Sequence, residues 1–104
     1  MDVVEGNEQI EMWLGKLDRF EYQGRLIPTY MHGGIIKYLV HHIRPGDFLL
    51  SLLACELRET LAHADDKNLW LIPVYYAFFY NNLPSEAWGS REKVTAWLRG
   101  EAES

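Results

Sequence analysis

Apolar residues recur along this chain with the 3.6-residue period of helices, and turn-forming residues cut the pattern into about five segments. Ile10, Trp13, Leu14 and Leu17 follow i, i+3, i+4, i+7 spacing, which predicts a first helix opened by an Asn7 cap. Phe20–Ile27, with Gly24 inside it, reads as an extended or turning connection. Pro28 suits the first position of a second helix, Thr29 to about Ile43, with Ile35, Ile36, Leu39, Val40 and Ile43 on its apolar face. Arg44-Pro45-Gly46-Asp47 is a stop-and-restart signal in which Asp47 is the next cap. A third helix then spans Phe48 to about Ala64. Leu49, Leu50, Leu53, Leu57 and Leu61 form one broad stripe, and Glu56, Glu59 and His63 another.

Asp65 or Asp66 caps a fourth segment that Pro84 stops, and Ser90 caps a last helix, Arg91–Arg99, closed by Gly100. Val94, Trp97 and Leu98 supply the inner face of that helix. The fourth segment holds five aromatics in the six positions from Tyr75 to Tyr80. Its β-propensity is high, but no second strong strand is present for it to pair with. The prediction is a helix kinked or restarted near Pro73. A helix apolar on every side must be covered on every side, so it belongs at the centre of the domain or against a partner. The expected architecture is all-α, one compact domain over residues 1–104 with four to five short helices and frayed ends at 1–6 and 100–104.

With 104 residues the chain fits one domain, and 48% hydrophobic and 24% charged content is ordinary for a globular protein. Fifteen acids against ten bases, net −5, argue against broad binding of phosphate backbones and suit docking on a basic protein surface. The single cysteine, Cys55, has no internal disulfide partner, which fits a reducing compartment. The N-terminal stretch is acidic where a signal peptide is basic. The apolar, uncharged stretch Leu69–Leu83 has 15 residues, short of the roughly 20 a bilayer span needs.

Candidate chemistry is thin. His32-Gly33-Gly34 is like the glycine-rich oxyanion loop of esterases, but no G-x-S-x-G elbow accompanies it, and the plainer reading is close approach of a neighbouring backbone. Ser90-Arg91-Glu92-Lys93 matches S-x-x-K without its companion motifs, and capping explains Ser90. Cys55, Glu59 and His63 share a helical stripe, yet two turns, roughly 12 Å, separate thiol from imidazole. The four histidines, 32, 41, 42 and 63, lack metal-site spacing. No catalytic residue, cofactor or metal is expected. Arg91, Lys93 and Arg99 near Trp88 and Trp97 make a minor case for stacking a single nucleic-acid strand, with Glu92, Glu101 and Glu103 diluting the charge.

The run Ile43-Arg44-Pro45-Gly46-Asp47-Phe48-Leu49, then Ala64-Asp65-Asp66 with Asn68, Phe79-Tyr80-Asn81 with Pro84, and Trp88-Gly89-Ser90 with Glu92-Lys93-Val94 and Trp97, is similar to a group of small phage- and prophage-encoded proteins. Met31-His32-Gly33-Gly34-Ile35 with Tyr38 fits the same pattern, so the likeness covers about residues 28–99. No functional site carries over from that group. What the resemblance implies is a viral or prophage gene acting in a bacterial cytoplasm.

The expected function is therefore non-catalytic: binding another macromolecule, a host or phage protein, with inhibition of a host defence or host enzyme as its concrete form. The alternative is a nucleic-acid-binding accessory protein of phage DNA or RNA metabolism. Trp70, Tyr75, Tyr76 and Trp88 are the expected contact residues, because one small core has least room for them and aromatics dominate interface hot spots. Core burial or a homodimer would also cover them.

Overall fold

A computed structural model describes residues 2–101, with side chains from Glu8 onward. The order is α1 (Asp2–Arg19), a hairpin of β1 (Glu21–Tyr22) and β2 (Arg25–Leu26), α2 (Thr29–His41), α3 (Asp47–Leu53), α4 (Leu57–His63), α5 (Asp66–Trp70), α6 (Ile72–Asn82), a 3₁₀ turn (Ser85–Ala87) and α7 (Arg91–Leu98). The all-α expectation holds in the main, but four to five helices is an undercount, since seven α-helices lie among the described residues.

The first two differences are at helix ends. Asn7 lies inside α1, which is already helical from Asp2, so it is not the cap. The connection after it is a tight antiparallel hairpin pairing Glu21 with Leu26 and Tyr22 with Arg25. Its two turn residues, Gln23 (φ 53°) and Gly24 (φ 77°), both take positive φ, the pattern that matches strand twist in two-residue hairpins. Pro28 sits one position before α2, in extended geometry (φ −58°, ψ 141°). The helix ends at a left-handed His42 (φ 57°) before Pro45 biases Arg44 out of helical geometry, and so Ile43 is solvent-exposed instead of facing the core.

The largest correction concerns the third predicted helix, which is two. α3 ends in a Schellman motif: Cys55 N–H donates to the Leu52 carbonyl (3.1 Å) and Glu56 N–H to that of Ser51 (3.0 Å), with Cys55 left-handed at φ 59°. Two carbonyls that a continuing helix would use are taken from elsewhere. Tyr76 Oη donates to Leu52 O (2.9 Å) and Gly89 N–H to Leu53 O (2.8 Å). The leucine stripe consequently divides: Leu49, Leu50 and Leu53 are buried, whereas Leu57 and Leu61 are exposed. Asp47 is the first residue of α3 and caps nothing with its side chain; Gly46 precedes it.

The later signals hold. Asp65 Oδ1 accepts the Asn68 N–H (2.8 Å) to open α5, and Ser90 Oγ accepts the Lys93 N–H (3.2 Å) to open α7. The aromatic segment is helical and restarts at Leu71, with Pro73 in the first turn of α6. Val74, Tyr75, Phe78 and Phe79 are wholly buried on it. Trp13 and Phe20 meet Phe78 edge-on (6.3 and 5.2 Å between centroids), and Phe48 meets Tyr75 at 5.7 Å. Burying each such ring stabilises by roughly 1.5–3 kcal/mol. The helix is covered on one broad face only: Tyr80 is 80% exposed.

Candidate docking surface

The break at Leu71 gives the molecule its most exposed tryptophan. α5 ends at Trp70 because Pro73 cannot supply an N–H to a continuing ladder, and the chain starts a new helix instead. Trp70 is left 65% exposed. It is nevertheless fixed. Arg25, reaching over from the hairpin, places its guanidinium 4.3 Å from the indole centroid and donates from Nη1 to the Trp70 carbonyl (3.1 Å). Both contacts complement the negative end of α5, and the cation–π contact alone is worth about 0.5–1 kcal/mol at an exposed site.

One helical turn earlier, the Lys67 ammonium stands 5.4 Å from the ring centroid of Tyr30, itself 60% exposed at the start of α2. Tyr30 is tied to the core through one residue: Asn68 Nδ2 donates to Tyr30 Oη (3.4 Å) and Tyr75 Oη donates to Asn68 Oδ1 (2.7 Å). Burial holds the Tyr75 phenol well above its ordinary pKa, and Tyr30 and Asp65 add to the shift. Tyr30 and Asn68 also line a groove of about 270 Å³ walled by Met31, Gly34, Phe48 and Leu49, with Asp47 at its edge. Two aromatic–cation pairs and an apolar groove thus adjoin through α5 and α2.

Of the four residues expected at a contact, only Trp70 is open to solvent. Tyr75 is in the core, fully buried, and presents no surface. Tyr76 is half-buried against Phe79 and Trp88, its hydroxyl bound to the Leu52 carbonyl, and burial pushes its pKa up to about 12. Trp88 is half-buried on Tyr76 and Phe79 (6.2 and 5.7 Å). The physical reason is that the core had room: α6 buries its rings along one face and the 3₁₀ turn folds Trp88 back onto it. Arg25, Tyr30 and Lys67 were not legible. Arg25 and Trp70 are 45 residues apart in sequence, and no local pattern pairs them.

Two members of the minor stacking case near Trp88 and Trp97 are engaged within the fold. Trp97 donates its indole N–H to the Tyr38 carbonyl (2.9 Å) and lies under His42, while Arg91 is bound by Glu56. That pair belongs to a polar cleft of about 310 Å³, lined among others by Arg44, Asp47, Glu56, Glu59, His63 and Arg91. Arg91 holds Glu56 through Nε–Oε2 (2.9 Å) and a second contact from Nη2 to Oε1, and this hydrogen bonding lowers the Glu56 pKa. Arg44 faces Asp47 (3.5 Å) and His63 faces Glu59 (3.9 Å). Ser51 and Thr60 spend their hydroxyl protons on Phe48 O (2.9 Å) and Glu56 O (2.8 Å). The charged groups here pair with one another.

Cys55 sits at the α3–α4 break instead of on a helical stripe with Glu59 and His63, and burial raises its thiol pKa. The close-approach reading of Gly33 and Gly34 is also overturned. A Cβ on Gly33 would meet nothing within 4 Å, and one on Gly34 only Leu49 Cδ2 at an ordinary 3.6 Å. Among the described residues no group of His, Cys, Asp and Glu is placed to hold a metal ion, and no helix is long and apolar enough to cross a membrane.

Set against protein-family models, curated proteins and solved structures, the chain matches none.

Proposed function

We propose that this chain is a non-catalytic protein that binds another protein through the surface around Trp70. The observation that carries the reading is a tryptophan 65% exposed yet held at both ring and carbonyl by Arg25. A fixed aromatic loses little freedom on binding, which is the economy of an interface anchor. The mutual pairing of charges in the polar cleft supports a non-catalytic role. On the resemblance to phage- and prophage-encoded proteins, the partner is a host or phage protein of the bacterial cytoplasm, and inhibition of a host defence or host enzyme is the concrete form.

The test is capture from a bacterial lysate with the intact chain and with Trp70→Ala as baits. A partner retained by the first and lost with the second is expected; identical captures would remove Trp70 from the interface. Sedimentation at several concentrations separates a homodimer from a hetero-complex, and salt-dependent retention of oligonucleotides would favour the nucleic-acid alternative.

A further inference from the structure

We infer that the segment this surface takes is acidic: a stretch of partner protein that seats an apolar side chain in the groove and sets carboxylates against Arg25 and Lys67. The inference rests on the docking reading above and adds the partner's chemistry. Arg25 and Lys67 each lie over an aromatic face, and neither makes an ion pair with a carboxylate among the described residues. A cation covered by a partner without a counter-charge is desolvated at a loss, so the matching surface brings anions.

The groove decides what lies between the acids. Met31, Phe48 and Leu49 give it an apolar wall, and its two glycines, Gly34 and Gly46, are not required by packing: a Cβ on Gly46 would meet nothing within 4 Å. The floor stays open for a side chain from outside. The acids nearby discriminate against a polyphosphate. Asp47 edges the groove, and Asp65 and Asp66 precede Lys67, with Asp65 Oδ1 engaged by the Asn68 N–H (2.8 Å). A nucleic-acid strand carries a charge at every nucleotide and meets these carboxylates, whereas a peptide places its acids only opposite the cations.

The experiment is selection from a displayed library of random dodecapeptides on the immobilised full chain. The winning peptide is then labelled and titrated against wild type, Trp70→Ala, Lys67→Glu and Arg25→Glu, each checked for native circular dichroism and melting. Expected are sequences with two or more acids flanking Leu, Phe, Met or Trp, and binding weakened roughly 10-fold or more by either charge reversal. Lys67→Glu is the cleaner variant, since Lys67 stands over the Tyr30 ring face whereas Arg25 also holds the Trp70 carbonyl. Peptides that depend on Trp70 but are not acidic overturn the inference and leave the docking reading standing. Failure to select any Trp70-dependent peptide overturns both. Oligo(dT) bound more tightly than any peptide, and released by Trp70→Ala, overturns the inference in favour of a nucleic-acid strand.

Discussion

Tyr75→Phe removes one oxygen from the middle of the protein and should be felt at its surface. Tyr75 is wholly buried, and its hydroxyl is 2.7 Å from Asn68 Oδ1, which is 7% exposed at the residue level. Phenylalanine keeps the ring contact with Phe48 but leaves the amide oxygen without a donor in a site that water barely reaches. An orphaned buried acceptor costs about 1–3 kcal/mol, more than the small net value of an ordinary hydrogen bond. For a domain of this size each 1 kcal/mol lowers Tm by roughly 4–8 °C. Urea unfolding at neutral pH measures it: the midpoint should fall with the slope unchanged. Asn68→Ala completes a double-mutant cycle, and the double variant should lose about 1 kcal/mol less than the sum of the singles. Additivity within about 0.5 kcal/mol, or a loss under about 0.5 kcal/mol for Tyr75→Phe alone, would refute the argument that Asn68 links core to surface.

Gly33→Ala should stabilise by roughly 0.5–1 kcal/mol, because the position is helical and its Cβ meets nothing; a loss of stability in thermal melts would mean an unseen neighbour. Gln23→Asn creates the Asn-Gly pair that two-residue hairpins prefer at positive φ and should add on the order of 0.5–1 kcal/mol, checked by urea unfolding. Above pH 10 the chain should lose stability. Burial raises the Tyr38, Tyr75 and Tyr76 pKa values above the unfolded 10.0, so the unfolded chain releases its phenolic protons first. The contribution is intact below pH 10 and lost as pH rises toward the folded values, at about 1.4 kcal/mol per pH unit for each phenol still protonated in the fold. Unfolding free energies between pH 9 and 11 give this slope, and Tyr75→Phe should flatten it.

The contact residues show what kind of information the chain carries. That Trp70 and Tyr75 are large aromatics is local; which of them meets water depends on the axis change at Leu71. Tyr75 falls on the face of α6 that receives Phe48, while Trp70 ends the preceding helix and lies under Arg25 from the hairpin. The surface read here therefore depends on partners that sequence spacing does not bring together.

Two chain reversals separate the local from the tertiary most clearly. Gly100 (φ 72°) closes α7 by a Schellman motif, Glu101 N–H to Ala96 O at 2.9 Å and Gly100 N–H to Trp97 O at 3.0 Å, and glycine announces it because only glycine takes that conformation freely. Cys55 (φ 59°) closes α3 by the same motif without any such residue. There the hydrophobic period runs on through Leu57 and Leu61, and locally the helix would continue. It stops where the Tyr76 hydroxyl and the Gly89 N–H claim the Leu52 and Leu53 carbonyls. The Asp65 and Ser90 caps and the glycine closure of α7 follow from neighbouring residues and are written locally. The break at Cys55, the exposure of Trp70 and the cations over its surface depend on donors and rings brought from distant segments, and only the folded chain supplies them.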